Sequence, residues 1–209
     1  MSVHIVDHPL VQDALLQLRN VATTPDQFRR VANRISVLLA AEAMRDLPTS
    51  AATVESPLGP AHGQCVSSDV VVVPVLRAGL GMLDAVLQLL PSARVGHIGL
   101  QRDELTAIAS RYYSKLPGDL TRSYVLVIDP MLATGGSAAA ALDLLCQAGA
   151  RDVRLVCIVA APEGVALLEA HHPGVDVYTP AIDGGLNAHK FIVPGLGDFG
   201  DRLYGTNSS

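Results

Sequence analysis

Asp129-Pro130-Met131-Leu132-Ala133-Thr134-Gly135-Gly136-Ser137 sets one acid, two hydroxyls and a glycine pair within nine residues. The glycines let a backbone approach a ligand closely, and Thr134 and Ser137 add hydroxyl donors. Ahead of Asp129 runs Val125-Leu126-Val127-Ile128, and behind Ser137 an alanine-rich stretch continues to about Ala148. This order predicts a buried parallel strand, a tight loop and a helix. The unpaired N–H groups of the first helical turn would then face the loop and make a phosphate site. Asp129, at the carboxyl end of the strand, stands where it can accept hydrogen bonds from sugar hydroxyls. An acid beside a phosphate cradle points to a phosphorylated ribose.

The same nine residues resemble the 5-phosphoribosyl diphosphate (PRPP) loop of the uracil phosphoribosyltransferases, and further matches span about His8 to Gly205. The resemblance implies a type I phosphoribosyltransferase-like fold and a reaction in which uracil and PRPP give UMP and diphosphate. It places PRPP on Arg77, Arg102, Asp198 and every residue of the loop, and names Asp129, Arg102 and Asp198 as the catalytic set. For the arginines, position agrees: Arg77 follows the apolar run Val70–Leu76 and Arg102 follows Arg94–Leu100. A planar fork of donors there matches phosphate oxygens. Pro130 stands where many phosphoribosyltransferases have a second acid. Magnesium (Mg2+) is therefore expected to be held mainly by the substrate's diphosphate and by water rather than by a protein metal site. GTP is a candidate effector in such a family.

Gly195-Leu196-Gly197-Asp198-Phe199-Gly200 has the spacing of a dinucleotide fingerprint, but only nine residues follow it. A fingerprint needs a helix after it and an acid about twenty residues on, so that reading is rejected. The segment instead resembles the uracil-binding loop, with uracil on Ile192, Gly197, Asp198 and Phe199. Backbone readout suits uracil, because cytosine would face an N–H and a C=O with mismatched groups, and such a site rejects an analogue by about 10⁴-fold. Three residues depart from the family pattern: Phe199 replaces alanine, Phe191 a common tyrosine and Ala188 a glutamate. The ring of Phe199 is expected to narrow or reshape the base pocket. Ala109 and Arg111 replace frequent prolines in the central arm.

Composition bounds the alternatives. The 209 residues are 49% hydrophobic and 17% charged, which suits a sizeable folded core. Net charge of −5, 4% aromatics and no Trp argue against a general nucleic-acid binder. An RNA-binding pyrimidine regulator on the same fold is accordingly disfavoured, and the nearer alternative is a phosphoribosyltransferase for another nucleobase. Cys65, Cys146 and Cys157 lack metal-type spacing and are expected to be buried reduced thiols. The N-terminal residues show neither a basic segment nor an apolar stretch of signal length, and no membrane span follows. The expectation is a cytoplasmic protein with no membrane partner.

These groups need a frame. Apolar residues three and four apart predict amphipathic helices over His8–Val21 and Pro25–Leu47, with Asp13 and Asp26 in their first turns. They would pack over the sheet or over a second subunit, and a homodimer or homotetramer is expected. Thr49–Ser68 reads as a connecting or hairpin region. Strands are predicted at Val70–Leu76, Arg94–Leu100, Tyr124–Ile128, Val153–Ala161 and Val175–Pro180, alternating with helices at Met82–Leu90, Ala138–Ala148 and Pro162–Ala170. Such alternation gives an α/β fold, a mostly parallel sheet with helices on both faces and ligands outside the strands' carboxyl ends. One domain over 1–209 follows, with N-terminal helices to about 48, a β-arm or solvated loop at 102–117 and a base-binding hood at 181–205. Asp183–Asn187 reads as turn chemistry, and His171 as a helix-terminal histidine.

Overall fold

Val70–Leu76 is so uniformly apolar that it can only be a strand covered on both faces, and in the computed structural model it lies at the centre of the main sheet. The structure describes residues 1–102 and 109–206. In chain order the elements are β1 Val3–Ile5, α1 Pro9–Arg19, α2 Pro25–Ala43, β2 Thr49–Ser56, β3 Gly59–Val66, β4 Val70–Leu76 and α3 Leu80–Leu89. There follow β5 Arg94–Val95, β6 His97–Arg102, β7 Ala109–Lys115, β8 Tyr124–Ile128, β9 Met131–Leu132 and α4 Gly136–Gln147. The chain closes with β10 Asp152–Val156, β11 Val159–Ala160, α5 Pro162–His171, β12 Asp176–Thr179, β13 Gly185–Leu186, β14 Ile192–Val193 and α6 Phe199–Tyr204.

The main sheet runs β1-β12-β10-β8-β4-β6-β7, with β5 also paired to β4, and is parallel except for the antiparallel β6–β7 pair. Because side chains alternate along a strand, each strand feeds two cores. Val70 and Val72 of β4, with Leu126 and Ile128 of β8, face α1, α2, α3 and α6. Val71, Val73 and Val75, with Val125 and Val127, face α4 and α5. The amino-terminal helices therefore cover one sheet face. Each begins as its sequence dictates: the His8 ring accepts from the Leu10 amide ahead of Pro9, and Thr24 and Gln27 form a capping box around Pro25. Asp26 is in the first turn of α2 as expected; Asp13 is not in the first turn of α1, and accepts instead from Gln17 and Arg34.

Three strand boundaries differ from expectation. The run Arg94–Leu100 breaks at Gly96, yet β5 and β6 keep one register against β4. The run Val153–Ala161 breaks after Val156, and the supposed loop after Asp129 contains β9, which pairs with β11. Pro130 explains the break: it has no N–H to give the ladder, while its carbonyl accepts from both Ile158 and Val159 at 2.9 and 3.1 Å. Pairing then resumes in an unchanged register, Val156 opposite Ile128 and Val159 opposite Met131. The three-residue edge strand β1 was not anticipated, being too short to show periodicity.

Thr49–Val66 is a hairpin exposed along nearly its whole length. The 102–117 region is in part an antiparallel arm, in which the register slips beside Gly99 and the ring of Tyr112 lies where a Cβ on Gly99 would be. Residues 103–108 and the side chains of Arg102, Ala109 and Ser110 fall outside the described residues. Cys157 is buried as expected, but Cys65 on the hairpin and Cys146 on α4 are exposed, because neither faces a core. No described helix is long and apolar enough to cross a membrane.

The turn after β4 is pressed against the tip of β8 through Gly79, where an added Cβ would stand 2.5 Å from the Ile128 carbonyl and 2.7 Å from Val75 backbone. All of these obstacles are backbone, so neither can yield cheaply. Gly79→Ala should cost at least about 2 kcal/mol in urea unfolding.

Candidate active site

Two adjoining cavities lie at the carboxyl ends of β4 and β8 and share Ala78, Leu100, Met131, Ala133 and Ser137 as walls. The first, about 150 Å³, is bounded by Arg77, Asp129, Leu132 and Gly135 as well. The second, about 290 Å³, is bounded also by His189 to Ile192 and Gly197 to Gly200. One cleft thus runs from the glycine loop to the carboxy-terminal loop.

At its first end, β8 delivers Asp129, whose amide remains in the ladder by donating to Val156 at 3.1 Å. Its half-buried carboxylate borders the cavity. Below it the Cys157 thiol is pushed up to about 12 by burial, with the Asp129 charge adding to the shift, so it stays protonated. Gly135 caps α4 with φ of +81°, a left-handed conformation, and a Cβ there would meet the Gly164 carbonyl and Leu167 at 3.0 Å. Gly136 differs: the nearest group to a Cβ would be the Thr134 hydroxyl at 3.8 Å. The first glycine is required by the fold, and the second keeps space clear at the mouth of a twelve-residue helix with no acid in its first turn. The amides of that turn concentrate partial positive charge where phosphate would sit.

Arg77, joined to Leu76 by a cis peptide, is exposed at the cleft, its guanidinium 3.9 Å from Asp201. Arg102 ends β6; its side chain lies outside the described residues. Pro130 is buried and acts through its carbonyl, and Pro130, Thr134 and Gly136 do not border the cavities. The remaining loop residues, Met131, Leu132, Ala133, Gly135 and Ser137, do.

At the second end, β13 and β14 form a short antiparallel pair, closed by Asn187, whose side-chain oxygen accepts from the His189 and Phe191 amides at 2.9 and 3.0 Å. Asp198 caps α6 by accepting from the Asp201 amide at 2.9 Å. Phe199 borders the cavity, is 1% exposed, and its ring packs edge-on against Phe28 at 5.2 Å. The helix that begins within Gly195-x-Gly197-x-x-Gly200, at Phe199, is only six residues long.

Several residues of this region went unnoticed in the sequence. Leu100, His189 and Lys190 wall the cleft, and the histidine and lysine, adjacent in a turn beside the glycine-rich end, were the available signal. Asp183, read as a turn residue, is 6% exposed and accepts both terminal nitrogens of Arg19 at 2.7 Å and the Gly195 amide at 2.8 Å. Burial pushes its carboxyl up, but the Arg19 fork and the Gly195 amide outweigh that and hold it below the ordinary 3.8.

The uracil phosphoribosyltransferase family model matches residues 5–206. A uracil phosphoribosyltransferase of Dictyoglomus thermophilum is 53% identical over 205 residues, covering 98% of this chain and 99% of the relative. A solved protein of Aquifex aeolicus superimposes with a TM-score of 0.94 at 34% identity, covering 99% of this chain and 100% of the other. The adenine phosphoribosyltransferase of Trypanosoma brucei, solved with AMP, pyrophosphate and ribose-5-phosphate, shares the fold at a TM-score of 0.56 and 14% identity, covering 88% of this chain and 84% of that one. Sheet order, strand-tip acid and glycine loop define a protein of the type I phosphoribosyltransferase class. Within that class, the chain belongs to the uracil phosphoribosyltransferase family.

Two outcomes follow from this geometry. Gly135→Ala should destabilise the protein by about 1–3 kcal/mol, whereas Gly136→Ala should leave its melting point nearly unchanged and weaken PRPP binding measured by calorimetry. The lowered Asp183 carboxyl adds stability that is fully present above pH 3.8 and is lost as pH falls through its lower folded value. The stability gap between wild type and Asp183→Asn in urea should therefore shrink between about pH 7 and about pH 3.

Proposed function

We propose that this chain converts uracil and PRPP to UMP and diphosphate, as one phosphoribosyltransferase domain serving pyrimidine salvage. The observation that carries this reading is the single cleft joining Asp129 and the α4 mouth at one end to the loop at Gly197–Phe199 at the other. Family membership supports the same substrate pair.

The reaction is displacement at C1 of PRPP by N1 of uracil, with the C1–O bond to diphosphate breaking and oxocarbenium character developing at C1. Catalysis by this chain is then positioning and charge management. The α4 amides and the Thr134–Ser137 segment hold the 5-phosphate, and Asp129 accepts from the ribose hydroxyls. Arg77 and Arg102 face the leaving diphosphate, with Asp198 at the sugar-diphosphate site. Arg77 is already partnered by Asp201, so diphosphate would compete with that carboxylate for the guanidinium. Backbone groups near Ile192 and Gly197–Phe199 read O4 and N3–H of the base. The Phe199 ring packs on Phe28, so on this reading the base is met by the backbone of that residue.

Magnesium supplies charge neutralisation on the diphosphate when bound. The strand tip offers it one carboxylate, Asp129, followed by a proline, and a cation that sheds water reluctantly fits such a place through the substrate's own oxygens. The exposed apolar side chains Val54, Leu58 and Val66 of the hairpin support assembly as a homodimer or homotetramer. GTP as an effector remains a proposal of the family alone.

Asp129→Asn, Arg77→Ala and Arg102→Ala should each lower turnover of uracil by at least about 100-fold. Unchanged rates in all three would remove the assignment. Assays of adenine, guanine, xanthine and orotate against the same sugar donor should show uracil preferred; another preferred base would redirect the reading to that substrate.

A further inference from the structure

We propose that the last turn of α1 positions the base-reading loop, with Arg19 and Asp183 as positioning residues that set the affinity for uracil without touching it. The inference rests on the reading of Gly197–Phe199 as the uracil site.

The loop between β14 and α6 has little regular structure of its own. It leaves β14 at Val193, passes Gly195 and Gly197, both with positive φ, and enters the six-residue α6. Its shape must therefore be imposed from outside. Gly195 is held on both of its peptide groups: Asp183 accepts from its amide at 2.8 Å, and Arg19 donates to its carbonyl at 2.8 Å. Those two side chains are joined to each other by two 2.7 Å contacts, with the arginine 21% and the acid 6% exposed. A paired fork of this kind fixes orientation as well as distance. Asp183 is itself fastened to the sheet frame, since its amide donates to Ala160 at 2.8 Å.

A second arginine completes the hold from the other side. Arg202 donates to the Leu196 carbonyl at 2.8 Å, to the Asn20 carbonyl at 2.6 Å and to the Leu18 carbonyl, while its guanidinium lies over the Phe28 ring at 4.5 Å. Leu18 and Asn20 bracket Arg19 at the end of α1, so both arginines tie residues 195 and 196 to one helix terminus. Only glycine fits at this point of the grip, because a Cβ on Gly195 would fall 2.1 Å from the Ile192 carbonyl. The residues that follow, Gly197 to Gly200, border the second cavity. None of the clamp's ion-pair atoms contributes to the first cavity, where PRPP would sit. Loosening the clamp should therefore be felt more by the base than by the sugar donor, which meets this loop only at Asp198.

The test is steady-state kinetics of full-length Arg19→Gln, Arg19→Lys, Asp183→Asn and Gly197→Ala, each checked by circular dichroism and by PRPP titration in magnesium buffer. Expected is a rise of at least about tenfold in the KM for uracil in Arg19→Gln and Asp183→Asn, with a several-fold smaller rise in the KM for PRPP. Arg19→Lys, which keeps the charge but loses the fork, should fall between them and wild type. Should Asp183→Asn fail to fold, the two Arg19 variants carry the comparison. Equal changes in both KM values, or none in either, overturn the clamp. Gly197→Ala separates the two levels: a raised uracil KM there with none in the Arg19 variants sinks the clamp alone, while no change in any variant sinks the loop assignment with it.

Discussion

The fold's dependence on a single residue without a donor is clearest at Pro130. A parallel ladder is held by evenly spaced N–H groups, and a proline within it would ordinarily end the pairing. Here the neighbouring strand compensates: two consecutive amides, from Ile158 and Val159, converge on the Pro130 carbonyl, and the ladder resumes at β9 and β11 in the register it had before. The interruption frees Asp129 to turn its carboxylate into the cleft while its own amide stays paired. The continuation beyond it carries the chain straight to Gly135 and the start of α4. Acid and helix mouth are therefore fixed to one another by sheet hydrogen bonds rather than by a free loop.

The opposite half of the cleft is built on another principle. Nothing at residues 195 to 198 belongs to the main sheet, and its conformation comes from guanidinium groups pairing with backbone carbonyls and one carboxylate. On the proposed reading, a rigid frame for the sugar donor and a side-chain-determined frame for the base meet along Ala78, Met131 and Ser137. The division matches the chemistry, since all phosphoribosyl transfers share the donor and differ in the acceptor.

What could be read in the sequence follows the same division. The strand, glycine pair and helix around Asp129 are contiguous, so hydrophobic pattern and residue type sufficed to place them. The alternation of apolar runs with helical periods likewise exposed the parallel sheet. Where the reading failed, distance along the chain was the reason. Arg19 and Asp183 are separated by 164 positions, and neither has a local pattern that singles it out. The interruption at Pro130 was hidden because the apolar run after Val153 continues through it. The inward turn of the Phe199 ring depends on Phe28, a contact no local window contains. Cys65 was misplaced because cysteine is commonly buried, whereas this one lies on an exposed hairpin strand.

The unchanged register on both sides of the Pro130 gap has an evolutionary corollary. Because opposite faces of β8 and β10 feed separate cores, adding or removing one residue between Ile128 and Met131 would reverse the facing of every side chain beyond it. That stretch is therefore constrained twice over, in its length by the two cores and in its letters by the cleft and the ladder.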